Sequence, residues 1–287
     1  MISNPFGKKQ PKSGKPSVIK EVKARDPRPG EQPIVHSFGS SVAELFDYIF
    51  GEQDRFRSHW ASGWSARGFS KKENRDFFMA CMDGYSSQDI ILMQFGSVDV
   101  QFNVAHRMAT GNFMDPEGFC QEAANGFIKM VETLHEAGFK NVYCVFASAP
   151  VPLPAIYFRK KFNLPSVPAR YQAQLFARIN ELIATKMPMI DLTKTLANDL
   201  GLLKQPYRRT YRDHHADYIK IQGIVWNQLK SIDGIAPCRE TFLTKLYPHR
   251  PKKIKAMMEK WDIESTDIKA REVLKPKKKA AGAKKKA

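Results

Sequence analysis

Five short apolar runs alternate with stretches of helical periodicity through the middle of this chain. The strand candidates are residues 34–38, 57–61, 89–95, 141–147 and 188–192. The helix candidates are Val42–Phe50, Lys71–Met82, Pro116–Ala137, Val167–Lys186 and Ala216–Ser231. Several strand candidates are almost continuously apolar, which is typical of parallel strands covered by helices on both faces. The alternation predicts right-handed crossovers and an α/β fold, a three-layer α/β/α sandwich around a five-stranded parallel, flavodoxin-like sheet.

The sequence outside this alternating region is basic and poor in large apolar residues. Residues 1–33 are rich in Lys, Pro and Gly, so they bury too little surface to offset the entropy of ordering, and we predict a disordered basic arm. Residues 34–235 form the predicted α/β domain. We expect a short helical extension over residues 236–274, where RETFLTKL and KKIKAMMEKW have helical patterns, and a disordered Lys-rich tail over residues 275–287.

The net charge of +17 is concentrated at the two ends of the chain. Residues 1–33 carry eight Lys or Arg against three Asp or Glu, and residues 245–287 carry fifteen against five, so the region between is nearly neutral. Three interpretations of these basic arms stay open: nonspecific contact with RNA or DNA, attachment to an anionic membrane or glycan, and a solubilising role with no dedicated partner. The alternating region contains no RRM signature or zinc finger, which argues against sequence-specific recognition of nucleic acid.

Segment lengths and cysteine spacing limit the compartment and the cofactors. No run approaches the ~18 apolar residues of a membrane span, and the first residues lack the apolar segment of a secretory signal, so we expect a cytoplasmic protein with no transmembrane segment. Cys81, Cys120, Cys144 and Cys238 are widely spaced and form no CxxC pair. This spacing favours buried free thiols over a zinc site or a disulfide framework, and we expect neither a metal nor an organic cofactor.

The topology predicts where a functional site lies, because ligands of such sheets bind beyond the carboxyl ends of the strands. The segments expected there are Gly39-Ser40-Ser41, residues 63–68, residues 96–99, residues 148–150 and Asp213-His214-His215. Ser41 stands where the first strand turns into a helix, and such a serine is a candidate nucleophile if a histidine base and an orienting carboxylate reach it. From local features alone, a capping role for Ser41 and a surface position for both histidines remain the alternative.

Four of these segments resemble conserved blocks of a known family. FGSSVAELF, SGWSARGF, FGSVDVQFN and the late DHH occur in the order and spacing of the first, second, third and fifth blocks of the SGNH/GDSL hydrolases. The resemblance covers residues 34–233, and its most specific part, FGxVD after an apolar strand, is similar to a divergent and poorly characterised branch of that family. It implies an ester hydrolase or acyltransferase that acts on an acylated carbohydrate or another small ester.

The resemblance also implies roles for individual residues. Ser41 matches the nucleophile, and its own N–H is one oxyanion donor. Gly63 matches the second-block glycine whose N–H is another donor, and Gly68 is the alternative to it. His215, or alternatively His214, matches the base, and Asp213 matches the carboxylate that orients it.

Three positions depart from the pattern of the family. Ser40 stands where the family has Asp in Gly-Asp-Ser. Val98 stands where the family has an Asn that donates to the oxyanion, and a valine cannot donate. Asp213 and His215 are one residue closer than the usual Asp-x-x-His. These departures leave a second hypothesis open: a catalytically degenerate binding or scaffold protein whose basic arms bind nucleic acid or another polyanion.

Polar residues after the third strand and in the second loop are candidates for substrate binding. Asp99 lies close to Gln101, and Asp99 either binds substrate or accepts N–H bonds from a turn. Arg67 and Arg107 either hold a carboxylate or phosphate of the substrate, since guanidinium groups present two parallel donors, or form surface salt bridges.

Overall fold

The strands pair into a single parallel sheet. A computed structural model describes residues 21–61, 63–112, 115–147, 149–210 and 213–244. The strands in these residues are β1 (Val35–Gly39), β2 (Phe56–Trp60), β3 (Ile90–Gln94), β4 (Asn141–Phe146) and β5 (Met189–Asp191). They pair in the order β2-β1-β3-β4-β5, which is the strand order of flavodoxin-like folds.

Helices cover both faces of this sheet. The α-helices of the described residues are α1 (Glu44–Phe50), α2 (Lys72–Cys81), α3 (Val104–Ala109), α4 (Pro116–Glu136), α5 (Ala155–Phe162), α6 (Ala169–Ala184), α7 (Thr193–Leu196) and α8 (Tyr218–Leu229). Helix α1 packs against α8, and α4 packs against α6. The predicted fold class, a three-layer α/β/α sandwich with a five-stranded parallel flavodoxin-like sheet, is confirmed.

The first strand, β1, lies between β2 and β3 in the sheet. Val35 pairs with Phe56 on one side and Ile90 on the other, and Gly39 pairs in the same way with Trp60 and Gln94. The turn that follows β1 is therefore flanked by the turns after β2 and β3. All three strands are largely buried, since helices cover both faces of the sheet.

Part of the predicted basic arm packs against the domain. Val22 is buried, the amide of Ala24 donates to the carbonyl of Ala137 at 2.7 Å, and Arg25 pairs with Ser86 in a short parallel bridge. Arg25 also forms an ion pair with Glu31. Backbone pairing with the domain thus holds residues 21–33, which their own composition does not predict. Residues 1–20 lie outside the described residues.

The segment after the last helix differs from the expected helical extension. Residues 237–244 contain no helix, and the amide of Arg239 instead donates to the carbonyl of Ile49 at 2.8 Å. The side chain of Gln222 donates to the carbonyl of Leu243 at 2.8 Å. Bonds to the domain therefore replace the intrahelical bonds that the pattern of RETFLTKL predicts. Its last residues, KKIKAMMEKW and the Lys-rich tail lie outside the described residues.

The four cysteines lie outside any disulfide. Cys81, Cys120 and Cys144 are buried, and Cys238 is partly exposed. None of the helices in the described ranges is both long enough and apolar enough to cross a lipid bilayer.

Candidate active site

Ser41 is presented by a tight turn that requires a glycine. It opens a short 3-10 turn, Ser41–Ala43, two residues after the end of β1. A Cβ on Gly39 would lie 2.4 Å from Cβ of Ala43 and 2.7 Å from the carbonyl oxygen of Gln94, so no larger residue fits at that position. The side chain of Ser41 is almost fully buried, at 7% exposure, which shields its hydroxyl from bulk water.

The structure brings Ser41, His215 and Asp213 into one hydrogen-bonded chain. Oγ of Ser41 lies 2.8 Å from Nε2 of His215, and Nδ1 of His215 lies 2.7 Å from Oδ1 of Asp213. The amide of His215 also donates to Oδ1 of Asp213, at 3.0 Å. Asp213 thus bonds to the backbone two residues ahead, in the manner of an Asx turn. Because of this local turn, Asp213 bonds to the ring of His215 although only one residue separates the two.

The loop that carries Asp213 and His215 is closed at its base. Arg208 and Ala216 form an antiparallel bridge, and the amide of Asp217 donates to the carbonyl of Tyr207 at 2.7 Å. Beyond this base, the hydroxyl of Tyr218, the first residue of α8, donates to the carbonyl of Ser41 at 3.4 Å. Backbone pairing therefore sets the position of the histidine relative to the serine.

Burial and charge set the protonation of this chain. Burial lowers the pKa of His215 below the ordinary histidine value, although Asp213 opposes the shift. For Asp213, burial favours the neutral acid, but the bond and charge of His215 and the charge of Arg209 outweigh it and hold its pKa below the usual range. Nη1 of Arg209 lies 3.5 Å from Oδ2 of Asp213. At neutral pH the imidazole is therefore neutral and the carboxylate is ionised, which are the states of a general base and its orienting group.

The side chain of His214, the alternative base, bonds to Tyr157. Its Nδ1 lies 2.8 Å from the hydroxyl oxygen of Tyr157, and its ring centroid lies 3.9 Å from that of His215. The two histidines therefore have separate partners, and His215 is the one that contacts Ser41. Tyr157 belongs to α5, a helix that follows several prolines and that the sequence patterns did not predict.

Gly63 lies in the loop after β2, next to the turn that carries Ser41. The amide of Ala61 donates to the carbonyl of Gly39 at 2.8 Å, and the amide of Trp64 donates back to Ala61 at 2.9 Å. Gly63 has a φ of 83°, in the region that favours glycine. Neither its amide nor that of Ser41 bonds to a backbone acceptor within the described ranges.

Asp99, a predicted substrate-binding residue, holds the second loop in place. Its carboxylate accepts from the amide of Ala66 at 2.7 Å and from that of Arg67 at 3.4 Å. The side chain is completely buried, and burial raises the pKa of Asp99 to about 6, although the two amides oppose the shift. These contacts match the turn role that the sequence left open. Val98 beside it is buried and offers no donor.

The other predicted substrate-binding residues make contacts within the protein. Gln101 is buried in the π-helical turn Asp99–Asn103. Arg67 and Arg107 share one carboxylate, since Glu122 lies 3.8 Å from Nη1 of Arg67 and 2.6 Å from Nη2 of Arg107. This pairing is the salt bridge that the sequence left open as an alternative to substrate binding. The side chain of Arg67 is one-third exposed beside the second loop.

One cluster in the described ranges has the composition of a metal site. Candidate ligand atoms of Asp213, His214 and His215 lie within 4.8 Å of one another. Both ring nitrogens of His215 already bond to protein oxygens, and Nδ1 of His214 bonds to Tyr157. A metal ion bound to His215 would have to displace one of the two bonds of that ring, so the arrangement favours the serine chain.

Comparison with known proteins gives structural neighbours. No family model and no curated protein matches the chain. A Streptococcus pneumoniae protein whose name refers to platelet activating factor is 15% identical, with a TM-score of 0.46 over 70% of this chain and 84% of the other. A GDSL-like lipase from Bacteroides thetaiotaomicron is 14% identical, with a TM-score of 0.46 over 71% and 90%. The OSK domain of Drosophila Oskar is 12% identical, with a TM-score of 0.41 over 75% and 98%. Likeness of this extent assigns no activity, so the function has to be inferred from the site itself.

Proposed function

We propose that this protein is a serine-dependent ester hydrolase or acyltransferase of the SGNH type, acting on an acylated carbohydrate or another small ester. The observation that carries the proposal is the unbroken chain from Oγ of Ser41 through His215 to Asp213, with contacts of 2.8 and 2.7 Å. Both distances lie within the ~2.6–3.2 Å that proton transfer requires. The resemblance of the sequence segments to the SGNH blocks points to the same residues.

The first half of the reaction forms an acyl-enzyme. Oγ of Ser41 attacks the acyl carbon while Nε2 of His215 takes the hydroxyl proton, and Asp213 holds the imidazolium that forms. The N–H groups of Ser41 and Gly63 bind the negative oxygen of the tetrahedral intermediate. His215 then gives its proton to the departing alkoxide, which leaves as an alcohol.

The second half of the reaction releases the acyl group. Water, or the hydroxyl of a sugar, gives its proton to Nε2 of His215 and attacks the acyl carbon of the ester on Ser41. Collapse of the second tetrahedral intermediate returns the proton to Oγ of Ser41. Hydrolysis and acyl transfer differ only in the molecule that attacks, so the chain of Ser41, His215 and Asp213 is compatible with both.

The oxyanion site proposed here has one donor fewer than the family pattern. Val98 occupies the position of the donating Asn, and loss of one such donor typically costs ~10²–10³ in turnover. We therefore expect slow turnover compared with enzymes that have three donors.

The close Asp-x-His spacing is one of the two grounds for the non-catalytic alternative. The contacts of 2.8 and 2.7 Å along Ser41, His215 and Asp213 argue against that ground, whereas Val98 is the other. Contact of the basic arms with a polyanion stays a prediction, because most of both arms lies outside the described residues.

The serine pair at the end of β1 gives a matched test. We expect Ser41→Ala to reduce hydrolysis of 4-nitrophenyl acetate by at least about 10³-fold, because the attacking oxygen is lost. Ser40→Ala removes a neighbouring buried hydroxyl that has no hydrogen-bond partner in the described residues, so it should retain activity within about threefold. Activity would be followed by release of nitrophenol and folding by circular dichroism. Equal turnover by wild type and Ser41→Ala would overturn the proposal.

A further inference from the structure

A second hydrogen-bonded chain ends beside the catalytic imidazole. Nζ of Lys161 donates to the hydroxyl oxygen of Tyr157 at 3.0 Å, and that oxygen lies 2.8 Å from Nδ1 of His214. Tyr157 is buried and Lys161 is exposed, both on α5. The proposed reaction uses none of these three residues.

The direction of this chain concerns the tautomer of His214. A lysine ammonium group can only donate, so the oxygen of Tyr157 accepts from Lys161, and the phenol has its single proton to give to Nδ1 of His214. Burial raises the pKa of Tyr157, so the phenol keeps this proton. Burial and the neighbouring His215 hold the pKa of His214 well below the ordinary value, so its ring is neutral. When Nδ1 accepts the phenol proton, the one proton of the neutral ring is on Nε2.

Nε2 of His214 is the ring nitrogen that does not bond to Tyr157. The ring is half-buried and lies edge-on to Phe102, with 5.0 Å between centroids. In the described part of the chain no residue accepts from Nε2, and Nε2 is not among the buried atoms that lack a partner. It is therefore a solvent-accessible donor next to His215, whose ring centroid is 3.9 Å away.

We propose that His214 determines specificity: its Nε2–H binds an acceptor oxygen that the substrate carries next to the scissile ester. Tyr157 and Lys161 act as positioning residues that keep the proton on Nε2. The inference rests on the proposed function and narrows its substrate to an ester with a hydroxyl, ether or carboxylate oxygen close to the acyl group, as on an acylated sugar. A simple aryl or alkyl acetate lacks such an oxygen.

Selectivity between two acetate esters tests this role. The measured quantity is the ratio of kcat/KM for an acetylated monosaccharide to kcat/KM for 4-nitrophenyl acetate. We expect His214→Leu to lower this ratio about three- to tenfold, which is the effect of one lost hydrogen bond. His214→Gln, which retains a side-chain N–H donor, should restore part of it. An unchanged ratio in His214→Leu would overturn the inference, because a residue that only supports His215 affects both esters alike.

The positioning residues have a matched control on the same helix. Tyr157→Phe and Lys161→Met should lower the ratio in the same direction, whereas Lys160→Met, which removes an exposed charge outside the hydrogen-bonded chain, should not. An anionic substrate is distinguished by replacing the neutral acetylated sugar with an acetylated uronic acid. The inference fails if the variants change the kcat/KM ratio for the uronic acid but not for the neutral sugar, and if Lys160→Met has the same effect as Lys161→Met. In that case surface charge, and not the donor of His214, sets the substrate preference.

A spectroscopic measurement separates this inference from the proposed function. Long-range ¹H–¹⁵N correlation spectra of the intact protein should show His214 as the Nε2–H tautomer between about pH 6 and 8, and Tyr157→Phe should mix the tautomers. A Nδ1–H tautomer in the wild type, or an ordinary titration near 6.5, would contradict the inference whether or not any ester is hydrolysed. Loss of all turnover with the predicted tautomer intact would instead count against the proposed function.

Discussion

At the scale of single residues, the site depends on how a short loop places two adjacent histidines. The sequence predicted Ser41, Asp213 and the histidine pair, because each stands at the end of a strand or ahead of a helix. It left His214 and His215 as alternatives, since consecutive loop residues point in different directions and no periodicity applies to them. The Asx turn at Asp213 decides the outcome, because it aims the ring of His215 at Ser41.

The pH dependence of activity follows from the state of His215. In the proposed reaction His215 acts as a base only when neutral, and burial lowers its pKa, so the neutral form persists to more acidic pH than in an ordinary histidine. We expect kcat/KM for 4-nitrophenyl acetate to fall on acidification with a midpoint below 6.5. A midpoint above 7 would contradict this account of the site.

Substitution of Asp213 gives a second test of the proposed base at the scale of single residues. Asp213→Asn removes the charge that raises the pKa of His215 and the acceptor that fixes its tautomer, so kcat should fall ~10³–10⁴-fold. The residual activity should have its acidic midpoint at still lower pH. Retention of more than a tenth of the activity, in a variant with native circular dichroism, would mean that Asp213 does not orient the base.

At the scale of elements, the strands were predictable and the short helices were not. Each of the five strands lies within one or two residues of its predicted run. The clearest is β3, which is completely buried and almost continuously apolar, as expected of a parallel strand covered on both faces. The sequence pattern did not predict helix α5, because prolines precede it and only Tyr157 and Phe158 are buried among its eight residues. The π-helical turn Asp99–Asn103 likewise has no sequence period of its own.

Contact between α4 and the second loop offers a prediction at this scale. A Cβ on Gly126 of α4 would lie 2.5 Å from the carbonyl oxygen of Ala66 and 3.0 Å from Cα of Arg67. Since both are backbone atoms of the loop that Asp99 holds, Gly126→Ala should shift this loop and lower both the free energy of unfolding, by ~1–3 kcal/mol, and kcat. Urea denaturation and nitrophenyl acetate kinetics measure the two effects.

The adjacent Asn125 is the control for Gly126. It lies on the exposed side of the same helix, so Asn125→Ala should leave kcat unchanged and slightly raise the free energy of unfolding through helix propensity. If Gly126→Ala proves as stable and as active as Asn125→Ala, close packing of α4 does not position the second loop.

At the scale of the whole molecule, charge and chemistry belong to different parts of the chain. The sequence predicted a nearly neutral α/β domain between basic ends, and the structure adds residues 21–33 to that domain through backbone pairing. Such pairing leaves no hydrophobic pattern, so composition alone predicted a disordered arm. The contact between Tyr157 and His214 was also beyond the sequence, because it joins segments far apart in the chain.

The most direct measurement of the central claim is covalent labelling of the purified protein with a fluorophosphonate, with the modified residue located by peptide mass spectrometry. We predict one adduct on Ser41 in the wild type and no adduct in Ser41→Ala or His215→Ala. His214→Leu should still be labelled, because its ring does not contact Ser41. An absence of labelling in a folded wild-type protein, or an adduct that persists in Ser41→Ala, would contradict the assignment of Ser41 as an activated nucleophile.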